Sequence, residues 1–286
     1  METGANNILP KANYSPSTLD NLLTEKCHLS IEIGLNSIGY SIFDTLTLTY
    51  IVLKDFEFDS RNIEESITIL ERIITSEFLL KKEFYSSCLS LNNLPSTLVP
   101  TPFFNDKKKE NILNFNQKIY DDILTDKLQH IDAVNIYSAP TILTELIQKH
   151  FPSTQIKSSS SIWIDQLLAQ NKEDEKVYAV ISDNLLELFV IKNGKLELHN
   201  NFVTGSKEDV LYYLLFVMEQ LGLSTEKTEL VLFGHILKSD ELYQLLFNYV
   251  RYISFGKRPN NLQYANELES IQKHKYFCLF SQLLCV

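Results

Sequence analysis

One pattern occurs twice in this chain, and it restricts the fold more than any other feature. From Cys27, apolar Leu29, Ile31 and Ile33 alternate with Ser30 and Glu32; a break follows at Leu35-Asn36-Ser37, and Gly39–Phe43 resumes the run. Thr47–Phe58, rich in β-branched and aromatic residues, supplies a third strand. Alternation with a period of two marks half-buried strands, so the block reads as a hairpin extended by one strand. The second occurrence is VYAVISDNLLELFVIKNGKLELHNNF, Val177–Phe202, with Asn193-Gly194 as its hairpin signal. A helical stripe follows each block. Asn62 to Thr75 puts Ile63, Ile67, Leu70, Ile73 and Ile74 on one side, with Asn62 or Ser60 as cap. Lys207 to Leu221 turns Val210, Leu214, Val217, Met218 and Leu221 inward. The pattern predicts two copies of one βββα unit, each continuing as mixed α/β structure.

Other segments fit that plan. Glu83–Leu91 and Asp132–Tyr137 read as strands, and Thr141–His150 and Ser161–Ala169 as helices, the latter with Trp163 and Leu167 on its apolar side. Two prolines confine Ser96–Phe104 to an edge or a turn. Asn105–Asn116 reads as a short surface helix. Thr228–Phe233 is a buried type of strand closed by Gly234, and Ser239–Val250 a helix capped by Ser239 with two acids in its first turn. Tyr252–Phe255 supplies a last strand, and Gln263–Leu284 reads as mostly helical. LYYLLFVMEQ (Leu211–Gln220) is apolar nearly all round, which predicts burial; a face left exposed would be an association surface. The expected division is an arm over 1–24, a first half over 25–160 and a second half over 161–286.

Composition excludes several functions. A net charge of -10 argues against a nucleic-acid binder, and the main basic run, Lys107-Lys108-Lys109, sits between Asp106 and Glu110. At 44% hydrophobic and 22% charged residues, the chain can fill a sizeable core. Cys27, Cys88, Cys278 and Cys285 show no zinc spacing and read as buried thiols of a reducing compartment. No secretory signal opens the chain and no apolar run reaches the length of a membrane helix, so a cytoplasmic location is expected. His28, His130, His150, His199 and His274 have no mutual metal spacing, and the serines at 158–161 lack partners in any hydrolase order. No P-loop, nucleophile elbow or dinucleotide fingerprint is present.

The duplicated βββαβα halves resemble the superfamily of actin, sugar kinases and heat-shock-chaperone ATPases. There the first hairpin carries Asp, a hydrophobic residue, Gly and a small or hydroxylated turn. Glu32-Ile33-Gly34-Leu35-Asn36-Ser37 stands at that place, with Glu32 for Asp and with Gly34, Asn36 and Ser37 in keeping. In the second hairpin Val180 stands at the acid and Ser182 at the glycine, followed by Asp183 and Asn184. Leu232-Phe233-Gly234-His235 keeps one glycine of an adenosine-side pair. TLVP (Thr97–Pro100), LHNNF (Leu198–Phe202), LYYLLFVMEQLGL (Leu211–Leu223) and LVLFGHI (Leu230–Ile236) are similar to a bacterial family of unknown function with an actin-like ATPase fold.

The resemblance implies an α/β protein of two duplicated actin-like, ribonuclease-H-like halves, with mixed sheets flanked by helices, around a central cleft. It makes Glu32, Gly34, Asn36, Ser37, Asp183, Asn184, Gly234 and His235 the cleft positions. Phosphoryl transfer in such a fold needs carboxylates on hydrated magnesium and backbone N–H groups close to the phosphates. Valine at the second acid removes a magnesium-shell group, and serine at the glycine disfavours φ > 0 and fills space. Asp183 falls on the opposite face of a regular strand; a slipped register would restore it. Glu32 reads as a magnesium-shell acid or as a plain strand residue, Gly34 and Gly39 as ligand space or as turn and crossing residues, and Asp44 as a turn former. The expectation is a non-catalytic binding or scaffold module, with no catalytic or metal residues and no cofactor. It would engage a protein partner and neither nucleic acid nor membrane, as a monomer or weak homo-oligomer. The alternative is a divergent ATP-binding protein, kinase or ATPase using ATP with magnesium.

Overall fold

A computed structural model describes residues 8–16, 22–115, 117–171, 174–182, 184–260 and 262–285. The chain divides into two units: residues 1–162, 260–270 and 278–286 in the first, and 163–259 and 271–277 in the second.

In the first unit β1 (Ala12–Tyr14) flanks an antiparallel meander of β2 (Cys27–Ile33), β3 (Ser37–Asp44) and β4 (Thr49–Glu57). Asp44 forms the turn its position predicts, its carboxylate accepting the Leu46 N–H at 2.8 Å. The helix α1 (Ile63–Ser76) starts at Asn62, whose side chain accepts the Glu65 N–H at 2.9 Å, while the Glu65 carboxylate reaches back to the Arg61 N–H. Its Ile67, Leu70, Ile73 and Ile74 pack in one core with Leu29, Ile31 and Ile33. From α1 the chain enters β5 (Ser86–Leu91), parallel to β2, and then β6 (Ser96–Pro100), α2 (Lys109–Asn114), β7 (Asp122–Lys127) and β8 (Ala133–Ala139). These last three strands make a separate antiparallel sheet in the order β6-β8-β7, with the proline-ended β6 at an edge. The path continues through α3 (Thr141–His150), β9 (Gln155–Ser158) and α4 (Ser159–Gln170); β9 adds in parallel to β5. The main sheet therefore runs β1-β4-β3-β2-β5-β9.

The second unit repeats this plan. The meander is β10 (Lys176–Ser182), β11 (Leu185–Lys192) and β12 (Lys195–Val203); α5 (Lys207–Gln220), β13 (Glu229–Gly234), α6 (Glu241–Phe247) and β14 (Ile253–Phe255) follow. The order β12-β11-β10-β13-β14 is the same as β4-β3-β2-β5-β9, with an antiparallel meander and two added parallel strands in each. Even the irregularities coincide. Between Ile42 and Phe43 the register against β4 shifts and leaves Ile51 over; between Val190 and Ile191 the register against β12 shifts and leaves Glu197 over. The two halves are duplicates down to a bulge.

Some expectations need correction. The helix after Ser239 is shorter than its apolar pattern, starts after Asp240, and ends at Phe247. The tail is not one helical stretch: β15 (Gln263–Tyr264) pairs with β4, and only α7 (Asn266–Glu269), α8 (Phe277–Ser281) and a 3-10 turn are helical. Its successive stretches belong to the first, the second and again the first unit. On α5, Val210, Leu214, Val217 and Met218 are buried as predicted, but the helix is not enclosed, because Tyr212 and Phe216 face out. Cys27, Cys88 and Cys278 are buried free thiols. Among the described residues, no helix is long and apolar enough to cross a membrane.

The side of the first sheet away from α1 mixes buried polar groups with Phe43, Tyr50, Leu53 and Cys88. His28, Ser30, Ser41 and Ser90 are all fully buried there, with Gln282 from the tail. The Gln282 amide accepts the Ile31 N–H at 3.1 Å and donates to the Ile31 carbonyl and the Ser90 hydroxyl, both at 2.8 Å. His28 has its Nδ1 2.8 Å from the Ser86 hydroxyl, and burial lowers its pKa to about 4. Because the unfolded imidazole takes up its proton first, stability is present above pH 6.5 and falls as pH drops towards 4. The expected loss is about 3 kcal/mol. Urea unfolding of the native chain against His28→Gln at pH 7 and pH 4.5 measures it; equal slopes for both would refute the assignment.

Candidate functional site

The shared geometry of the two halves lets the strand ends be compared position by position. Glu32 lies opposite Gly39 on β3 and Ser90 on β5, one residue before the last pair of β2. In the second unit the same place, opposite Glu187 on β11 and Phe233 on β13, belongs to Val180.

Around Glu32 the first unit gathers a polar group. The Ser90 hydroxyl and the Asn92 amide each donate to the Glu32 carboxylate at 3.4 Å, and the Ser159 hydroxyl, at the start of α4, donates to Asn92 Oδ1 at 3.2 Å. The hairpin tip closes on itself. The Gly34 N–H donates to the Ser37 carbonyl at 3.0 Å, and a side chain at 34 would meet Ser37 Oγ at 2.9 Å. Asn36 accepts the Ser60 hydroxyl at 2.7 Å through its side chain and the Phe58 N–H at 3.1 Å through its carbonyl. The Ser66 hydroxyl donates to the Leu35 carbonyl. The tip is thus laced to α1 and to the end of β4. The predicted Glu32, Gly34, Asn36 and Ser37 come together here, joined by Ser90, Asn92 and Ser159.

In the second unit Asn184 precedes β11 and Gly234-His235 closes β13, with β10 between the two strands, while Asp183 lies outside the described residues. The Asn184 carbonyl accepts the Thr204 N–H at 3.0 Å. Gly234 has φ +87°, and a Cβ there would fall 2.1 Å from the Ile181 carbonyl oxygen, the same oxygen that accepts the His235 N–H at 2.8 Å. Its own N–H donates to the His274 carbonyl at 3.1 Å. This glycine is required by backbone geometry alone.

Beside half-buried Val180, its register partner Phe233 belongs to a group of packed rings. Phe233 packs against Trp163 (centroids 4.9 Å) and Phe277 (5.0 Å), and Trp163 stacks on Phe277 at 4.7 Å. On the other side of Val180 the nearly excluded Glu187 holds His199 at 2.7 Å, and that imidazole stacks on Phe189 at 4.8 Å. The Glu187–His199 pair was not among the predicted residues. The place of the second acid therefore has an aliphatic side chain between an aromatic layer and an internally paired carboxylate. Of the described strand-end residues predicted as sites, Glu32 alone offers a carboxylate, and none offers a lysine or arginine.

Comparison with known proteins agrees with the architecture. No curated protein matches the chain significantly. A Bacteroides thetaiotaomicron protein with an actin-like ATPase fold and unknown function superposes with a TM-score of 0.74 at 19% identity, covering 82% of this chain and 91% of that one. The PilM–PilN complex of type IV pilus biogenesis gives a TM-score of 0.57 at 12% identity, covering 90% of this chain and 98% of that one. Both likenesses are likenesses of fold. A family described as proteins of unknown function, DUF3822, matches residues 16–253. With that match spanning both meanders and most of the chain, this actin-like chain belongs to the DUF3822 family.

Proposed function

We propose that this protein is a non-catalytic binding or scaffold module of the bacterial cytoplasm, an actin-like fold that engages another protein and does not turn over nucleotide. One observation carries the reading: Val180 stands at the register position matching Glu32, with Phe233, Trp163 and Phe277 packed on the same sheet face. A hydrated magnesium ion needs oxygen ligands there, and a half-buried valine side chain offers none. The occurrence of this fold in the PilM–PilN complex supports a protein as the partner. The retained Glu32, Gly34, Asn36 and Ser37 favour a second reading, a divergent ATP-binding protein, kinase or ATPase.

Thermal unfolding with millimolar Mg-ATP separates the two. A ligand at a hundred times its Kd adds about 2.7 kcal/mol to stability. The expected result is no shift and no released phosphate. Hydrolysis that depends on magnesium and disappears in Glu32→Ala would overturn the proposal.

A further inference from the structure

The outer side of α5 carries an ordered stripe that the fold does not use. Glu208, Tyr212, Phe216 and Glu219 follow one another at helical spacing and all four are exposed, Tyr212 at 62% and Phe216 at 45%. The two rings stack on each other at 6.1 Å. Half-buried Leu211 and Leu215 widen the apolar middle. Each end of the stripe is a carboxylate, and neither Glu208 nor Glu219 is in an ion pair among the described residues. From Glu208 to Glu219 the helix advances about 16 Å.

We propose that this stripe is the docking surface for a segment of another protein that is apolar in its middle and basic at both ends. The inference rests on the binding-module reading and names the chemistry of its partner. Charge complementarity selects the occupant. Aromatic residues in the centre supply the buried area, and carboxylates at the rim reward Lys or Arg and reject acids. A second copy of this chain is disfavoured twice over. It has the same net charge of -10, and two such stripes laid antiparallel would set Glu208 against Glu219. An anionic lipid surface is disfavoured by the same charges.

The test uses the full chain and two synthetic peptides with one leucine- and phenylalanine-rich centre, one ended by arginines and the other by glutamates. Fluorescence anisotropy at low salt should show binding of the arginine-ended peptide only, weakening as salt rises. Glu208→Lys with Glu219→Lys should weaken that binding at least tenfold and allow the glutamate-ended peptide to bind. Tyr212→Ala with Phe216→Ala should abolish binding of both, with circular dichroism and Tm confirming that each variant folds. Equal binding of the two peptides, binding of neither, or capture of anionic vesicles through the stripe would overturn the proposal. Its failure is separable from failure of the binding-module reading. A native partner retained by all four substitutions would sink the stripe alone, whereas ATP turnover by a chain that still selects the basic-ended peptide would sink only the non-catalytic role.

Discussion

Glu187→Ala is expected to lower the unfolding free energy by about 3–5 kcal/mol, the cost of removing one member of a buried ionisable pair. The carboxylate lies 2.7 Å from His199 Nε2, and both side chains are nearly excluded from solvent. Alanine would leave the imidazole, clamped by its stack on Phe189, without this partner and would open space beside it. The double variant Glu187→Leu, His199→Phe should recover most of the loss, because an apolar pair of similar volume needs no hydrogen bond. Urea unfolding with an unchanged m-value is the measurement. A loss under about 1 kcal/mol for Glu187→Ala would show that the pair is not a structural requirement.

Gly234→Ala should be comparably severe, roughly 4 kcal/mol or about 10 °C in Tm. Two penalties coincide at this position. The residue sits at φ +87°, and its new methyl group would meet the Ile181 carbonyl at 2.1 Å. That carbonyl belongs to backbone and also accepts the His235 N–H, so relief requires β10 and β13 to part at their ends. Gly222 provides the control. It has φ +65° and nothing within 4 Å of the place a methyl group would take, so Gly222→Ala should show only the left-handed backbone cost of about 1–2 kcal/mol. If the two alanines cost the same, the contact with Ile181 contributes nothing.

What could be read in the chain, and what could not, follows from how local each signal is. The meanders, α1, α3 and α5 announce themselves by alternation or by one apolar stripe, since each buries a single face against a regular surface. The strands β7 and β9 do not. Asp122–Lys127 is a sheet-edge strand with a single buried residue, and Gln155–Ser158 is too short to show a period. At the strand end, Glu32 to Ser37 is contiguous and legible, whereas its neighbours Ser90, Asn92 and Ser159 come from other elements. Gln282 reaches Ile31 across nearly the whole chain. The Glu187–His199 contact is hidden for a more specific reason. Counting back from the Asn193-Gly194 turn with Lys192 opposite Lys195 would set His199 opposite Leu188, facing the helix side. The bulge at Val190/Ile191 moves it opposite Phe189, onto the face of Glu187.

That extra residue in each meander also bears on what such a fold can change and what it must keep. A carboxylate or a glycine at a strand tip can be exchanged by one substitution while the ladder behind it stays intact. Pairing Glu197 into the ladder as an ordinary residue would shift every partner beyond it by one, carrying Leu198 and Phe202 out of the core and polar Asn201 into it, and pairing Ile51 would do the same in the first meander. Shape in this architecture is guarded by counting, chemistry only by identity, so the frame is built to outlast the reactions it hosts.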